Sequence, residues 1–137
     1  MNYKLVKHKK WIDERGYLAE FLTKNELKKG AKFGHIYFVT FSRPGIVRGN
    51  HYHSHKEEHF GLAMGKVRIV IKDIKTNKRK SFILDAQKHQ FTRLQIGPNI
   101  AHAVESLSDK AILIDYFSSW YDSGHPDSFK YMLIKKK

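Results

Sequence analysis

The sequence predicts an all-β sandwich or barrel, on three observations. Short apolar runs recur along the whole chain, and none keeps a helical period long enough for a long helix. One of them, Val67-Arg68-Ile69-Val70-Ile71-Lys72, alternates as a half-buried strand does, with Val67, Ile69 and Ile71 facing inwards and Arg68 and Lys72 facing water. The three prolines and nine glycines fall singly between the runs, with no repeat or low-complexity tract among them. Many short strands separated by turn formers close into a sandwich or a barrel.

Taken in order, strands are expected over 4–8, 17–22, 35–41, 49–53, 59–64, 67–74, 80–84, 90–96, 103–107, 111–117 and 129–134. Val70 breaks the alternation of its run, which implies that something covers part of the outer face of that sheet. The only helical signal is 23–30: Thr23 can cap, Glu26 stands three residues on, Lys28 and Lys29 come late, and Gly30 closes. A chain of 137 residues is expected to form one domain over 1–137 with a core of ordinary size.

The formal net charge of +13 favours an anionic partner by long-range steering. Nucleotide-sugar diphosphates and nucleic acids both qualify, but lysines are scattered rather than clustered and no nucleic-acid-binding motif occurs, which argues against nucleic acid. A lysine-rich solvated surface accounts for the same charge without any partner. The polar start of the chain does not fit a signal peptide, and no apolar run approaches membrane-spanning length, so a cytoplasmic protein without a membrane partner is expected. With no cysteine, a metal ion has to be held by His, Asp or Glu.

Four of the nine histidines lie in the stretch 48–65. His51 and His53 are two apart, so a strand sends both imidazoles to one face. Glu58 follows after a gap that a bend can fold back, and His102, just after Gly97-Pro98-Asn99, is the candidate for a fourth ligand. Three imidazoles and a carboxylate suit one divalent transition metal, zinc, iron, manganese or nickel, rather than calcium or magnesium. For any one of these histidines alone, a hydrogen-bonded or surface role is the simpler reading. His55 and His59 are assigned to the surface or to support of the ligands.

The spacing Gly45-x5-His51-x-His53-x4-Glu58-x6-Gly65 resembles the first cupin motif at every marked position, and His102 resembles the histidine of the second. There, Gly97, Asn99 and Ser106 stand where the family has proline, glycine and asparagine. Over nearly its whole length the chain resembles the sugar-nucleotide-modifying cupins. Asp13-Glu14-Arg15-Gly16, the run 47–52 and the run 96–102 resemble dTDP-4-dehydrorhamnose 3,5-epimerases. The size and the run 36–53 resemble dTDP-4-keto-6-deoxyhexose 3,4-ketoisomerases. The closest resemblance, through 42–53, 58–60 and 122–129, is to the zinc-binding C-terminal cupin domain of capsular-polysaccharide bifunctional reductase/epimerases.

The resemblance implies a jelly-roll (double-stranded β-helix) fold, zinc as first choice at His51, His53, Glu58 and His102, and an isomerase of surface polysaccharide biosynthesis. It also implies that Arg15 and Arg48 hold a diphosphate. Glu20 joins them in the expected substrate-binding set, with an Arg15–Glu20 ion pair as the alternative. The metal-free relatives use the first histidine as a base, so His51 has two incompatible candidate roles, catalytic base and metal ligand.

On a nucleotide-linked 4-keto sugar, epimerisation or ketone migration removes a proton beside the carbonyl, stabilises an enolate and returns a proton. Tyr37, Tyr116 and Tyr121 are candidate acids, each equally a core or rim aromatic. An Fe(II) oxygenase-type cupin and a non-catalytic sugar-binding module are the rival functions. Edge strands of such barrels pair readily, so a homodimer is expected, with the strand 4–8 as an exchanged or added edge.

Overall fold

A computed structural model describes residues 1–117 and 127–136. Its strands are β1 (Tyr3–Asp13), β2 (Gly16–Ala19), β3 (His35–Phe41), β4 (Val47–Tyr52), β5 (Glu58–Met64), β6 (Lys66–Asp73), β7 (Arg79–Asp85), β8 (Gln90–Ile96), β9 (Ile100–Ser106), β10 (Ala111–Phe117) and β11 (Phe129–Lys130). They form a six-stranded sheet in the order β2-β1-β8-β5-β10-β3 and a five-stranded sheet in the order β11-β4-β9-β6-β7. Every pairing is antiparallel, as the expected jelly roll requires. None of the helices among the described residues is long and apolar enough to cross a membrane.

The core lies between the sheets and follows the alternation. Val67, Ile69 and Ile71 of β6 are fully buried and meet Phe60, Leu62, Leu94 and Leu113 of the opposite sheet. Val70, on the other face of β6, is buried as well, beneath Ile134 and beside Val47 and Ala103. The cover that its sequence context implied is the C-terminal segment.

Three elements depart from expectation. β1 runs on to Asp13 because its second half pairs with β2 in a hairpin, Asp13 opposite Gly16, with Glu14 and Arg15 at the turn. Of 129–134 only Phe129 and Lys130 join a ladder, against Tyr52 and His51. The helix expected over 23–30 shrinks to a 3-10 turn, Lys24–Glu26. The capping interaction itself forms, Thr23 donating its N–H and hydroxyl to Glu26 Oε1. Glu26 Oε2 is instead drawn down to the sheet, 2.9 Å from the buried Arg93 guanidinium and 3.0 Å from His8 Nε2. Eight residues with little apolar surface gain less from another helical turn than from these anchors.

Candidate metal centre

The centre lies at one end of the space between the sheets. β4 reaches it through a bulge: Gly49 and Asn50 both take positive φ, 90° and 58°, and the pairing with β9 shifts between Gly49 and His51, so that His51 comes to stand opposite His102. Gly49 cannot be replaced freely, because a Cβ there would sit 2.9 Å from the His102 carbonyl oxygen. His53 follows in the bend, its carbonyl oxygen accepting the Asn99 N–H at 2.7 Å. Asn99 has φ of 63°, a left-handed conformation that asparagine tolerates, so the turn ahead of His102 keeps its shape without glycine. Glu58 enters from β5, on the side of that strand shared with Phe60 and Leu62.

One ligand atom from each of His51, His53, Glu58 and His102 lies within 4.8 Å of the others. His53 Nε2 is 2.8 Å from Glu58 Oε1, and His102 Nε2 is 3.6 Å from the same oxygen. The His53 Nε2 contact is not aligned as a hydrogen bond, and this buried atom has no other partner. An imidazole lone pair and a carboxylate converging in a buried space fit a cation between them.

Burial sets the protonation of the cluster. It lowers His51 to about 4, helped by His53 and Lys56, and it drives His102 well below the usual range. It lowers His53 too, although a hydrogen bond to the Asp127 carbonyl works the other way. All three imidazoles are thus neutral at pH 7, the form that binds a metal. Burial pushes Glu58 up to about 8, and pushes Asp115 well above the carboxylate range, where the neighbouring Glu58 adds to the shift.

A cavity of about 470 Å³ opens onto His51 and His53 and is lined by Tyr37, Arg48, Lys56, Asp115 and Phe117. Arg48 stands at its mouth, donating from Nε to the Thr40 carbonyl and lying over Phe41. Tyr37 packs edge-on against Phe117. Tyr116 is not part of it: β10 sends Asp115 and Phe117 inwards and Tyr116 to the opposite face, against His59 and Phe33. Tyr121 lies outside the described residues. His55 is exposed, and His59 is buried on the outer face beside Glu57, so both stay out of the cluster as expected.

Arg15 and Glu20 are exposed, and Arg15 pairs with Asp13 rather than with Glu20. Tyr3 stands opposite Ile96, which pairs with Glu58, whereas Asp13 is at the other end of β1. At a strand rise of about 3.3 Å per residue, the roughly ten steps from Tyr3 to Asp13 put the hairpin tip on the order of 30 Å from the centre. A larger groove, about 610 Å³, lies beside this hairpin between Tyr17, Met64 and Asp85, and contains none of the cluster residues.

Sequence reasoning missed Asp115, Lys56 and Asp127. Asp115 was signalled, since it is the one charge in Ala111-Ile-Leu-Ile-Asp-Tyr-Phe and shares the inward parity of Leu113 and Phe117. Lys56 sits in a bend without parity, and Asp127 reaches the centre from far along the chain.

Two facing antiparallel sheets holding three histidines and a glutamate at one end, in this spacing, define a cupin. The chain matches the family model described as Polysaccharide biosynthesis C-terminal domain over residues 11–129, and it belongs to that family. It is 26% identical over 118 residues to the UDP-2-acetamido-2,6-beta-L-arabino-hexul-4-ose reductase of Pseudomonas aeruginosa, covering 85% of this chain and 29% of that protein. The chain thus spans less than a third of that relative's length. A 3,4-ketoisomerase from Helicobacter canadensis superposes with a TM-score of 0.76 at 25% identity, over 95% of this chain and 91% of that one. A dTDP-6-deoxy-D-glucose-3,5-epimerase from Legionella pneumophila, in complex with dTDP-4-keto-L-rhamnose, gives a TM-score of 0.77 at 22% identity, over 93% and 71%.

Proposed function

We propose that this chain is a cytoplasmic, metal-dependent isomerase that epimerises, or moves the ketone of, a nucleotide-linked 4-keto-deoxy sugar in surface polysaccharide biosynthesis. The observation that carries the reading is the convergence of His51, His53, Glu58 and His102 on one point, two of whose histidines, His51 and His53, line a cavity that Arg48 also lines. The ketoisomerase and epimerase with this fold support the reaction class, and the family supports the polysaccharide setting.

His51, His53, Glu58 and His102 would hold one divalent ion, zinc as first choice over iron, manganese or nickel, and a bound ion supplies Lewis-acid polarisation of a ketone oxygen. As a ligand, His51 is withdrawn from service as the free base. Among the described residues, the groups left facing the cavity that can move a proton beside the ketone are Tyr37 and Asp115, and Tyr121 stays a candidate acid. The Lys56 ammonium, stacked over Phe117, places positive charge where an enolate develops. Arg48 suits bidentate binding of the diphosphate.

Incubating metal-loaded protein with nucleotide 4-keto-6-deoxy sugars in heavy water tests the chemistry. Deuterium is expected at a carbon next to the ketone. Absence of exchange with every sugar, by protein that holds its ion, would leave a sugar-binding module as the better reading.

A homodimer goes with this function. The hairpin exposes Trp11, Ile12 and Leu18, β3 exposes Ile36 and Phe38, and among the described residues β2 and β3 are the outermost strands of their sheet. Arg15 and Glu20, remote from the centre of their own chain, belong to the substrate-binding set only if this hairpin reaches a partner's cavity. Light scattering is expected to give twice the chain mass of 16.1 kDa. A monomer that turns over substrate removes Arg15 and Glu20 from the site.

A further inference from the structure

We propose that the segment 127–136 is a strap that positions the metal ligands, fastened through Asp127 and Asn50. The inference rests on the reading that the cluster holds a metal ion.

Asp127 grips the ligand bend twice. Its backbone carbonyl accepts the His53 Nδ1–H, which fixes the ring's tautomer and leaves the Nε2 lone pair facing Glu58. Its carboxylate caps the bend behind that ring, Oδ1 accepting the Ser54 N–H at 2.7 Å and the Ser54 hydroxyl, Oδ2 accepting the His55 N–H at 2.8 Å. The side chain holds the residue in place, and the carbonyl of the same residue aims the imidazole.

The far end of the segment is tied to the residue before the other ligand of β4. Asn50 Oδ1 accepts the N–H groups of Leu133 and Ile134 at 2.8 and 3.0 Å, and its Nδ2 donates to the Ile134 carbonyl at 2.9 Å. The Tyr131 N–H donates to the Asn50 carbonyl, and Ile134 is buried on Val47, Val70 and Ala103. Asn50 is the left-handed residue of the bulge that turns His51 towards His102. One segment therefore fastens the backbone on both sides of the His51-x-His53 pair, although it contributes no ligand itself. An element that served only to cover Val70 would need Ile134 but neither fastening.

The test uses the full chain, stripped of metal, and measures zinc affinity by competition with a chelating indicator and ligand geometry by the visible spectrum of the cobalt(II) form. Asp127→Ala frees the bend and lets the carbonyl drift. It is expected to weaken zinc binding about 10–100-fold, the range for loss of a contact that orients a ligand, and to shift the cobalt bands. Asp127→Asn keeps the Oδ1 acceptor for Ser54 and should recover part of both. Asn50→Gly keeps the left-handed backbone while deleting three hydrogen bonds, and is expected to lose about tenfold at the lower end of the same range. Lower thermal stability of the metal-free variants with unchanged zinc affinity and cobalt spectrum overturns the positioning role. If Asp127→Ala does not fold, Asn50→Gly and Asp127→Asn decide alone. No zinc or cobalt binding by the wild type overturns the metal reading itself, and this inference with it.

Discussion

Replacing Glu58 by glutamine, or His53 by alanine, is expected to abolish the metal binding proposed for the centre. Each change removes a group that would meet the ion directly, so the loss should exceed the 10–100-fold that follows loss of an orienting contact. Glu58→Gln keeps the volume of a side chain that is only 1% exposed, which separates lost charge from lost packing. The pH dependence identifies the group that competes with the ion. Glu58 is raised to about 8, so below that pH the free centre carries a proton that binding must expel, and affinity should rise about tenfold per pH unit up to about 8. His51, lowered to about 4, is already neutral over that range and contributes no such slope. An ordinary exposed histidine site would instead level off above about 6.5. Metal analysis and zinc titrations at several pH values check both points. Full retention of metal in both variants would discard the assigned ligand set.

Glu26→Gln is expected to destabilise the protein by about 3–5 kcal/mol, because it leaves the Arg93 guanidinium charged in a fully buried position. Replacing both partners by apolar residues, Glu26→Leu with Arg93→Met, should cost much less, since both desolvation penalties vanish together. Burial alone would raise Glu26, but the Arg93 guanidinium and the Thr23 donors outweigh it and hold the carboxyl down to about 2. A folded-state value below the unfolded one of 4.5 means that this contribution is fully present above pH 4.5 and fades as the pH falls towards 2. Acid should therefore erase part of the difference between wild type and Glu26→Gln. Urea denaturation at neutral pH and near pH 3 measures this. A loss under about 1 kcal/mol at neutral pH would show that water relieves the guanidinium.

The clustering of His51, His53, Glu58 and His102 was legible because strand parity puts His51 and His53 on one face and because the spacing of all four resembles the cupin motifs. Asn99, which departs from the family's glycine, nevertheless keeps a left-handed turn ahead of His102. Val70 announced a covering segment but could not say which one, because the cover comes from Ile134 at the far end of the chain. The capping pattern at Thr23 and Glu26 was real and still did not make a helix. A local signal gave way to Arg93, a partner 67 positions away in a sequence that carries no mark of the pairing. Tyr116 was an error of parity, since its neighbour Asp115 takes the inward face. The Asp127 contact lay beyond sequence reasoning altogether, because its acceptor is a backbone carbonyl that any residue would supply.

The bulge at Gly49 and Asn50 ties together two opposite surfaces of one sheet. Its backbone turns the next side chain, His51, to the inside, while the Asn50 amide reaches the tail on the outside. A change at His51 is therefore expected to be felt on the outer wall. A probe attached beside Leu133, remote from the ligand atoms, should sense filling of the centre without touching it.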